Sequence, residues 1–345
     1  MNRNQQTATI AGAVALGALL AMRGLRARRR ISFAGRSVVI TGGSRGLGLV
    51  MARQLVAEGA RVTICARDQQ ELQRAEDDLR SHHPDADVTT IVCDVGDAEQ
   101  ADRLIRTVIE RHGRIDVLIN NAGVIAVGPI DHMRVADFAD SLNIHFWGPL
   151  HTILAARPAM RQQGFGRIVN VSSIGGRIAV PHLAPYCAGK FALTGLSDGL
   201  RAELAGEGIS VTSVFPGLMR TGSPYNAWFR GRHRDEFTWF AVGDSLPLVT
   251  VDARRAAWQI LDACRHGDAE LTVGWPARLG IIANAVMPQI FAGVMATANR
   301  LLPKPVEGAS ADTHSGWQSL SAWAPSRLTQ TTDRAAARNN ELPVG

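Results

Sequence analysis

Cysteine is scarce, and the few present form no pattern. Cys65, Cys93, Cys187 and Cys264 are the only four in 345 residues. None stands at Cys-x-x-Cys spacing and no histidine cluster joins them, which argues against a zinc site and against a disulfide framework. They are expected as reduced thiols, mostly in the core. Acidic residues are absent from residues 1–30, where Arg3, Arg23, Arg26, Arg28, Arg29 and Arg30 stand. These six charges equal the formal net charge of +6, so residues 31–345 are neutral overall. The basic balance therefore belongs to the N-terminus, not to a globular face. No aromatic or groove-reading element accompanies it, so no nucleic-acid partner is expected. Aromatic residues make up only 6% of the chain, yet Tyr225, Trp228, Phe229, Phe237, Trp239 and Phe240 crowd into residues 222–247.

Charge is also missing from residues 4–22, which are rich in Ala, Gly, Leu and Val. As a helix this run would reach about 28 Å, close to a hydrocarbon core. We read residues 1–31 as a membrane-anchor or interfacial segment followed by an arginine cluster. That cluster would hold the remainder on the cytoplasmic side. A soluble tail and a signal peptide are the alternatives. The second is disfavoured because the charges follow the apolar run and Met22-Arg23-Gly24 is a poor cleavage site.

From residue 32 to 275 short apolar runs alternate with helical stretches. Strands are expected at Val38–Thr41, Arg61–Ala66, Val88–Cys93, Val117–Asn120, Arg167–Val171, Ser210–Phe215 and Glu270–Val273. Helices are expected near 47–58, 69–81, 98–112, 134–162, 186–206 and 252–266. Repeated βα units imply an α/β, Rossmann-like, doubly wound parallel sheet of about seven strands with helices on both faces, plus terminal extensions. Residues 276–305 form an apolar C-terminal segment. Its uncharged stretch 279–299 contains Pro288 and reads as a packed helix pair or an interfacial membrane segment. Residues 306–345 are polar and without periodicity, and disorder is expected there.

The turn Thr41-Gly42-Gly43-Ser44-Arg45-Gly46-Leu47-Gly48 follows the first strand and opens a helix. Glycines allow close backbone approach to a pyrophosphate, and the helix N-terminus favours its charge. Tyr186 and Lys190 stand four residues apart, on one helix face. Further elements fall in order between and after these: Asp94-Val95, Asn120-Asn121-Ala122-Gly123, Asn143, Ser172-Ser173 and Pro216-Gly217-Leu218-Met219-Arg220-Thr221.

This ordered set resembles the short-chain dehydrogenase/reductase family, over about Ser32 to Trp275. The resemblance implies an oxidoreductase acting on CH–OH or C=O groups, with Tyr186 as general acid in reduction and base in oxidation. Tyrosine has an unperturbed pKa of about 10, so the Lys190 ammonium and the oxidised nicotinamide would have to lower it. By the same resemblance Lys190 bonds the nicotinamide ribose, and Ser173 orients the substrate carbonyl. Ser172 is the competing assignment, but the spacing of thirteen residues to Tyr186 favours Ser173. Asn143 matches the asparagine that holds a relay water, or else makes a helix-kink hydrogen bond. Gly42, Ser44, Arg45, Gly46, Leu47 and Gly48 would cradle the pyrophosphate. Asp94 and Val95 would meet the adenine. Asn121, Ala122, Gly123, Pro216, Gly217 and Thr221 would line the nicotinamide half. No metal is implied.

The second strand ends in Ala66-Arg67, with no acid until Asp68. Arg67 and Arg45 together favour NADP(H) over NAD(H). The aromatic lid 222–247 and the apolar loop Ile174–Pro185 point to a hydrophobic alcohol, ketone or aldehyde, unless the lid aromatics pack among themselves. A homodimer or homotetramer is implied by the resemblance alone. The alternative function is a cofactor-binding scaffold or redox sensor without turnover.

Overall fold

In the computed structural model, residues 23–306 and 312–342 are described, with Gly17 and Ala21 alone before them. The proposed anchor 4–22 therefore lies almost wholly outside the described residues. The central sheet is built from β1 (Ser37–Thr41), β2 (Arg61–Ala66), β3 (Val88–Val92), β4 (Val117–Asn120), β5 (Gly166–Val171), β6 (Ile209–Pro216) and β7 (Glu270–Val273). Its order is β7-β6-β5-β4-β1-β2-β3, and all pairs are parallel. All seven strands fall where the alternating pattern puts them.

Between them run α1 (Gly46–Ala57), α2 (Gln69–His82), α3 (Ala98–His112), α4 (Val135–Leu142), α5 (Gly148–Gln162), α6 (Ala184–Leu204), α7 (His233–Ser245) and α8 (Ala253–His266). One sheet face buries Leu49 and Leu55 of α1 with Ile260 and Leu261 of α8. The other buries Leu104 and Ile105 of α3 with Ile153 and Met160 of α5. Strands buried on both faces explain the unbroken apolar runs. Chain order reverses between β1's neighbours, β2 and β4, which opens a cleft at the carboxyl ends of the strands.

The helix expected over 134–162 is broken. Asn143–Trp147 forms a π turn, with the Gly148 amide bonding the Asn143 carbonyl five residues back. Pro149 follows directly and has no N–H to continue the tighter α ladder. The wider turn rotates the side chains that follow it.

Residues 312–342 correct the expectation of disorder. His314–Ser315 pairs antiparallel with Trp228–Phe229. Trp317 stacks on Tyr225 at 4.6 Å, and the Tyr225 hydroxyl donates to Asp333 at 2.5 Å. A helix at Gln330–Arg338 sends Ala336 into a third core with Phe229, Phe237 and Phe240. The segment docks by alanines and by hydroxyl bonds, such as Ser245 to Thr332 at 2.8 Å. Such residues give no apolar periodicity, so sequence alone misses the docking.

Residues 276–305 form two short helices, α9 (Trp275–Val286) and α10 (Pro288–Leu301), separated where Pro288 was noted. Leu279, Ile282, Val286, Ile290 and Val294 are all exposed. Among the described residues no helix is long and apolar enough to cross a membrane. Of the basic cluster, Arg26 bonds Asp262 and Asp268 at 2.6 and 2.8 Å, which fastens the N-terminal segment to the end of α8.

Candidate active site

The glycine turn is locked from below. The Thr41 hydroxyl accepts from the amides of Asn121 and Ala122 at 3.0 and 3.1 Å. The Asn121 side chain donates to the Gly42 carbonyl at 3.0 Å. A Cβ at Gly48 would lie 2.1 Å from the Gly42 oxygen, and one at Gly42 would lie 2.8 Å from the Ala122 Cα, so neither position admits a side chain. Gly46 has φ +57°, and its bare Cα faces the cleft. This is a cradle that a Cβ would fill, as a pyrophosphate site at a helix N-terminus requires.

Two cavities meet at this turn. One, of about 640 Å³, is lined by Ser44, Arg45, Arg67, Asp94, Val95 and Ala122. The other, of about 300 Å³, is lined by Ser173, Tyr186, Lys190, Pro216, Gly217 and Thr221. Leu47, Asn121 and Gly123 belong to both. The expected adenine and nicotinamide groups thus lie in two chambers joined at the glycine turn, an arrangement that fits a dinucleotide.

Tyr186 sits in the first turn of α6, partly buried against the third core. Burial raises its pKa, and the Ser173 hydroxyl pulls the other way. Lys190 is 5% exposed, donates to the Val171 carbonyl at 2.9 Å, and is brought down to about 7 by burial. The lowered tyrosine pKa expected from the sequence is therefore not what the protein groups alone produce, because desolvation outweighs the Ser173 hydrogen bond. The two serines separate cleanly. Ser172 donates to the Lys190 carbonyl at 3.0 Å and braces the helix. Ser173 accepts from the Gly175 amide at 3.0 Å, on the side of Tyr186.

Asn143 is the misplaced residue. It is exposed and lies against Gly96, where an added Cβ would come 2.3 Å from its amide nitrogen. The π turn brings His145 to the centre instead. His145 is fully buried, edge-on to Tyr186 with 5.4 Å between ring centres. Its Nε2 accepts from the Val124 amide at 3.3 Å. Nδ1 lies 3.2 Å from the Ser141 hydroxyl, which itself donates to the Pro185 carbonyl at 2.7 Å. Because Nε2 accepts, Nδ1 carries the proton and the ring is neutral. Burial, then the Lys190 charge, keeps it so, well below the usual imidazole range. The sequence signal for this was Gly148-Pro149, which marks a broken helix and so an uncertain side-chain phase.

The aromatics of residues 222–247 divide in two: Phe229 and Phe237 pack fully in the third core, while Trp239 and Phe240 also line the cavity beside Tyr186. A further clamp was not foreseen. Buried Glu236 on α7 bonds His182 of the loop before α6 at 2.8 Å and accepts from the Trp239 indole at 2.6 Å. It ties the lid to the loop that carries Leu183.

A sequence model of the short chain dehydrogenase family matches residues 36–227. The chain belongs to the short-chain dehydrogenase/reductase family. It is similar to Danio rerio dehydrogenase/reductase SDR family member 7B, 32% identical over 280 residues, covering 80% of this chain and 89% of that one. Among solved structures it resembles a short-chain dehydrogenase from Streptomyces avermitilis, with 31% identity, a TM-score of 0.66, and coverage of 78% of this chain and 99% of that one. It also resembles levodione reductase, with 27% identity, a TM-score of 0.61, and coverage of 70% and 96%. As a member of this family the chain is an oxidoreductase that binds NAD(P).

Proposed function

We propose that this short-chain dehydrogenase/reductase is an NADP(H)-dependent enzyme interconverting a hydrophobic alcohol and its ketone or aldehyde. The observation that carries this reading is the chamber beside Tyr186. Ser173 and Tyr186 present hydroxyls to it, with Ile174, Val180, Leu218 and Phe240 among its apolar walls. A carbonyl oxygen between the two hydroxyls would accept from both, while the apolar walls hold the rest of the substrate and exclude water. The nicotinamide, when bound, supplies the hydride chemistry. Tyr186 donates the proton to the oxygen in reduction, and burial keeps its phenol protonated for that task. Lys190 favours the phenolate left behind. His145 positions the tyrosine helix through Ser141 and Pro185 and the cofactor loop through Val124, in the place expected for Asn143.

Cofactor preference rests on the adenine end. Arg67 has no hydrogen bond or ion pair among the described residues and lines that chamber. Asp68 spends its carboxylate on capping α2, accepting from the Glu71 amide at 2.9 Å. Arg45 pairs with Glu71 at 2.6 Å, which offsets one of the carboxylates that line this chamber. Fluorescence titration with NADPH and NADH tests the assignment. NADPH is expected to bind more tightly, and Arg67→Asp to reverse the order. Binding of neither nucleotide by folded protein would sink the oxidoreductase reading. Binding of both, with no turnover across a panel of hydrophobic carbonyls, would favour a cofactor-binding scaffold.

Membrane association is part of the proposal through α9 and α10. Residues 275–306 carry only Arg278, Arg300 and Lys304 as charged groups, all basic, beside the exposed apolar side chains. That composition suits an anionic lipid surface. Exposed Leu154 on α5 and Phe191 on α6 support self-association into a homodimer or homotetramer.

A further inference from the structure

The segment Asn339–Glu341 lies inside the cofactor cleft. The Gly46 amide, at the N-terminus of α1, donates to the Asn339 carbonyl at 2.9 Å. The Gly222 amide donates to the Glu341 carboxylate at 2.6 Å. Asn340 donates to the Ser44 and Glu71 carbonyls at 2.9 and 3.1 Å and accepts from Arg74 at 2.8 Å. Its φ of +58° is a left-handed conformation that asparagine tolerates better than most residues. Arg53 bonds the Asn339 side chain at 3.0 Å and the Arg338 carbonyl at 2.9 Å. The segment is thus held at both ends by defined partners.

Its position decides what it does. Glu341 lines both chambers, the adenine one and the catalytic one. A dinucleotide spanning them must pass its pyrophosphate through that junction. The carboxylate is within 3.0 Å of the site of a Cβ on Gly46, the residue whose bare Cα opens the cradle. A pyrophosphate there would compete with the Glu341 side chain for the same space, and as pH rises through 7 would also meet its charge.

We propose that Asn339–Glu341 is an internal occupant of the pyrophosphate cradle, so that this segment and the nucleotide bind in turn. The inference rests on the dinucleotide reading of the cleft. The tail occupies the Gly46 amide of the cradle through the Asn339 carbonyl, and it must leave before that amide can bond the cofactor. Nucleotide affinity is then reduced by the fraction of molecules with the segment docked.

The electrostatics around Glu341 give the plug a pH dependence. Arg45 on the glycine turn favours its charge, and Glu71 on α2 opposes it. Asp244 on α7 is a second buried acid nearby, and Lys190 lies in the adjoining chamber. Thr221, Ser223 and Ala336 add no charge. Burial raises Glu341 to about 7 while docked. Released, it would return towards about 4.3. The docked form therefore holds a proton that the released form gives up. Docking is fully favoured below about pH 4 and weakens as pH rises through 7.

The test uses the full chain with Glu341→Ala, Glu341→Gln and Asn340→Ala, titrated with NADPH and with NADH at pH 6, 7 and 8. Hydrogen exchange of residues 330–342 is followed alongside, and thermal melting checks that each variant folds. Glu341→Ala is expected to bind nucleotide roughly tenfold more tightly, a change of about 1.4 kcal/mol. Glu341→Gln keeps the shape but should flatten the rise in affinity between pH 6 and 8. Saturating nucleotide should speed exchange at Asn339–Glu341. If nucleotide binds and instead slows exchange there, or if Glu341→Ala weakens binding, the segment is a cover over bound cofactor and the plug is refuted while the enzyme reading stands. If no variant binds either nucleotide, both fall.

Discussion

Asn143 and His145 are two residues apart, yet one lies exposed against Gly96 and the other faces Tyr186 from within the protein. The π turn between α4 and α5 makes that division. In an unbroken α-helix two residues differ by about 200° of rotation, so a single added residue in the turn changes which side chain points inward. This places His145, not Asn143, next to Tyr186.

Substitution at the two positions should separate them. His145→Ala is expected to lower kcat by about a hundredfold, since it unties Val124 from Ser141 and takes away the partner of a part-buried amide. His145→Gln, which can restore both bonds, should recover part of that loss without moving the pH profile. Asn143→Ala should change kcat by less than about threefold. Steady-state kinetics with a hydrophobic carbonyl decide it. Equal loss in both alanine variants would contradict the assignment.

Tyr186→Phe should lower kcat by about a thousandfold and leave nucleotide affinity nearly unchanged. Lys190→Met should impair both if Lys190 bonds the nicotinamide ribose as well as favouring the phenolate, as proposed. Comparing nucleotide affinity by fluorescence with single-turnover rates distinguishes the two. A Tyr186→Phe variant with full activity would remove the tyrosine from the mechanism.

Gly48→Ala should weaken nucleotide binding and cost about 1–3 kcal/mol of stability. Its Cβ would press to 2.1 Å of the Gly42 oxygen and 2.7 Å of the Asn121 amide, which secure the cradle. Gly195→Ala, with nothing within 4 Å of the added carbon, is the control and should be neutral or slightly stabilising. Urea unfolding of the two variants is the measurement.

Stability should fall as pH rises, through Asp244. Burial, with the neighbouring Glu341 charge second, lifts its carboxyl to about 8. Unfolded, it would titrate near 3.9. The folded protein therefore keeps a proton that the unfolded chain releases, and this contribution is present below about pH 4 and lost as pH rises through 8. Asp244→Asn should flatten the decline in Tm between pH 5 and 8.5. An equally steep decline in the variant would show that other groups set it.

Much of this protein was legible in its sequence because local chemistry specified it. Parallel strands buried on both faces must be apolar throughout, so β1, β4 and β5 announced themselves. The glycine turn was readable because Gly42 and Gly48 have no room for a Cβ. Tyr186 and Lys190 were readable because four residues make one helical turn. Tertiary structure decided the rest. Pro149 widened a turn and exchanged Asn143 for His145, a matter of helix phase that residue type does not disclose. Alanines and hydroxyls docked residues 312–342, although their composition promised no core, because small side chains bury well only against a surface already formed. Burial, which exists only in the fold, raised Tyr186 and Glu341 and lowered Lys190. Glu341, an ordinary acid in a polar tail by sequence, came to lie between the two chambers of the cleft solely because the chain around it packs there.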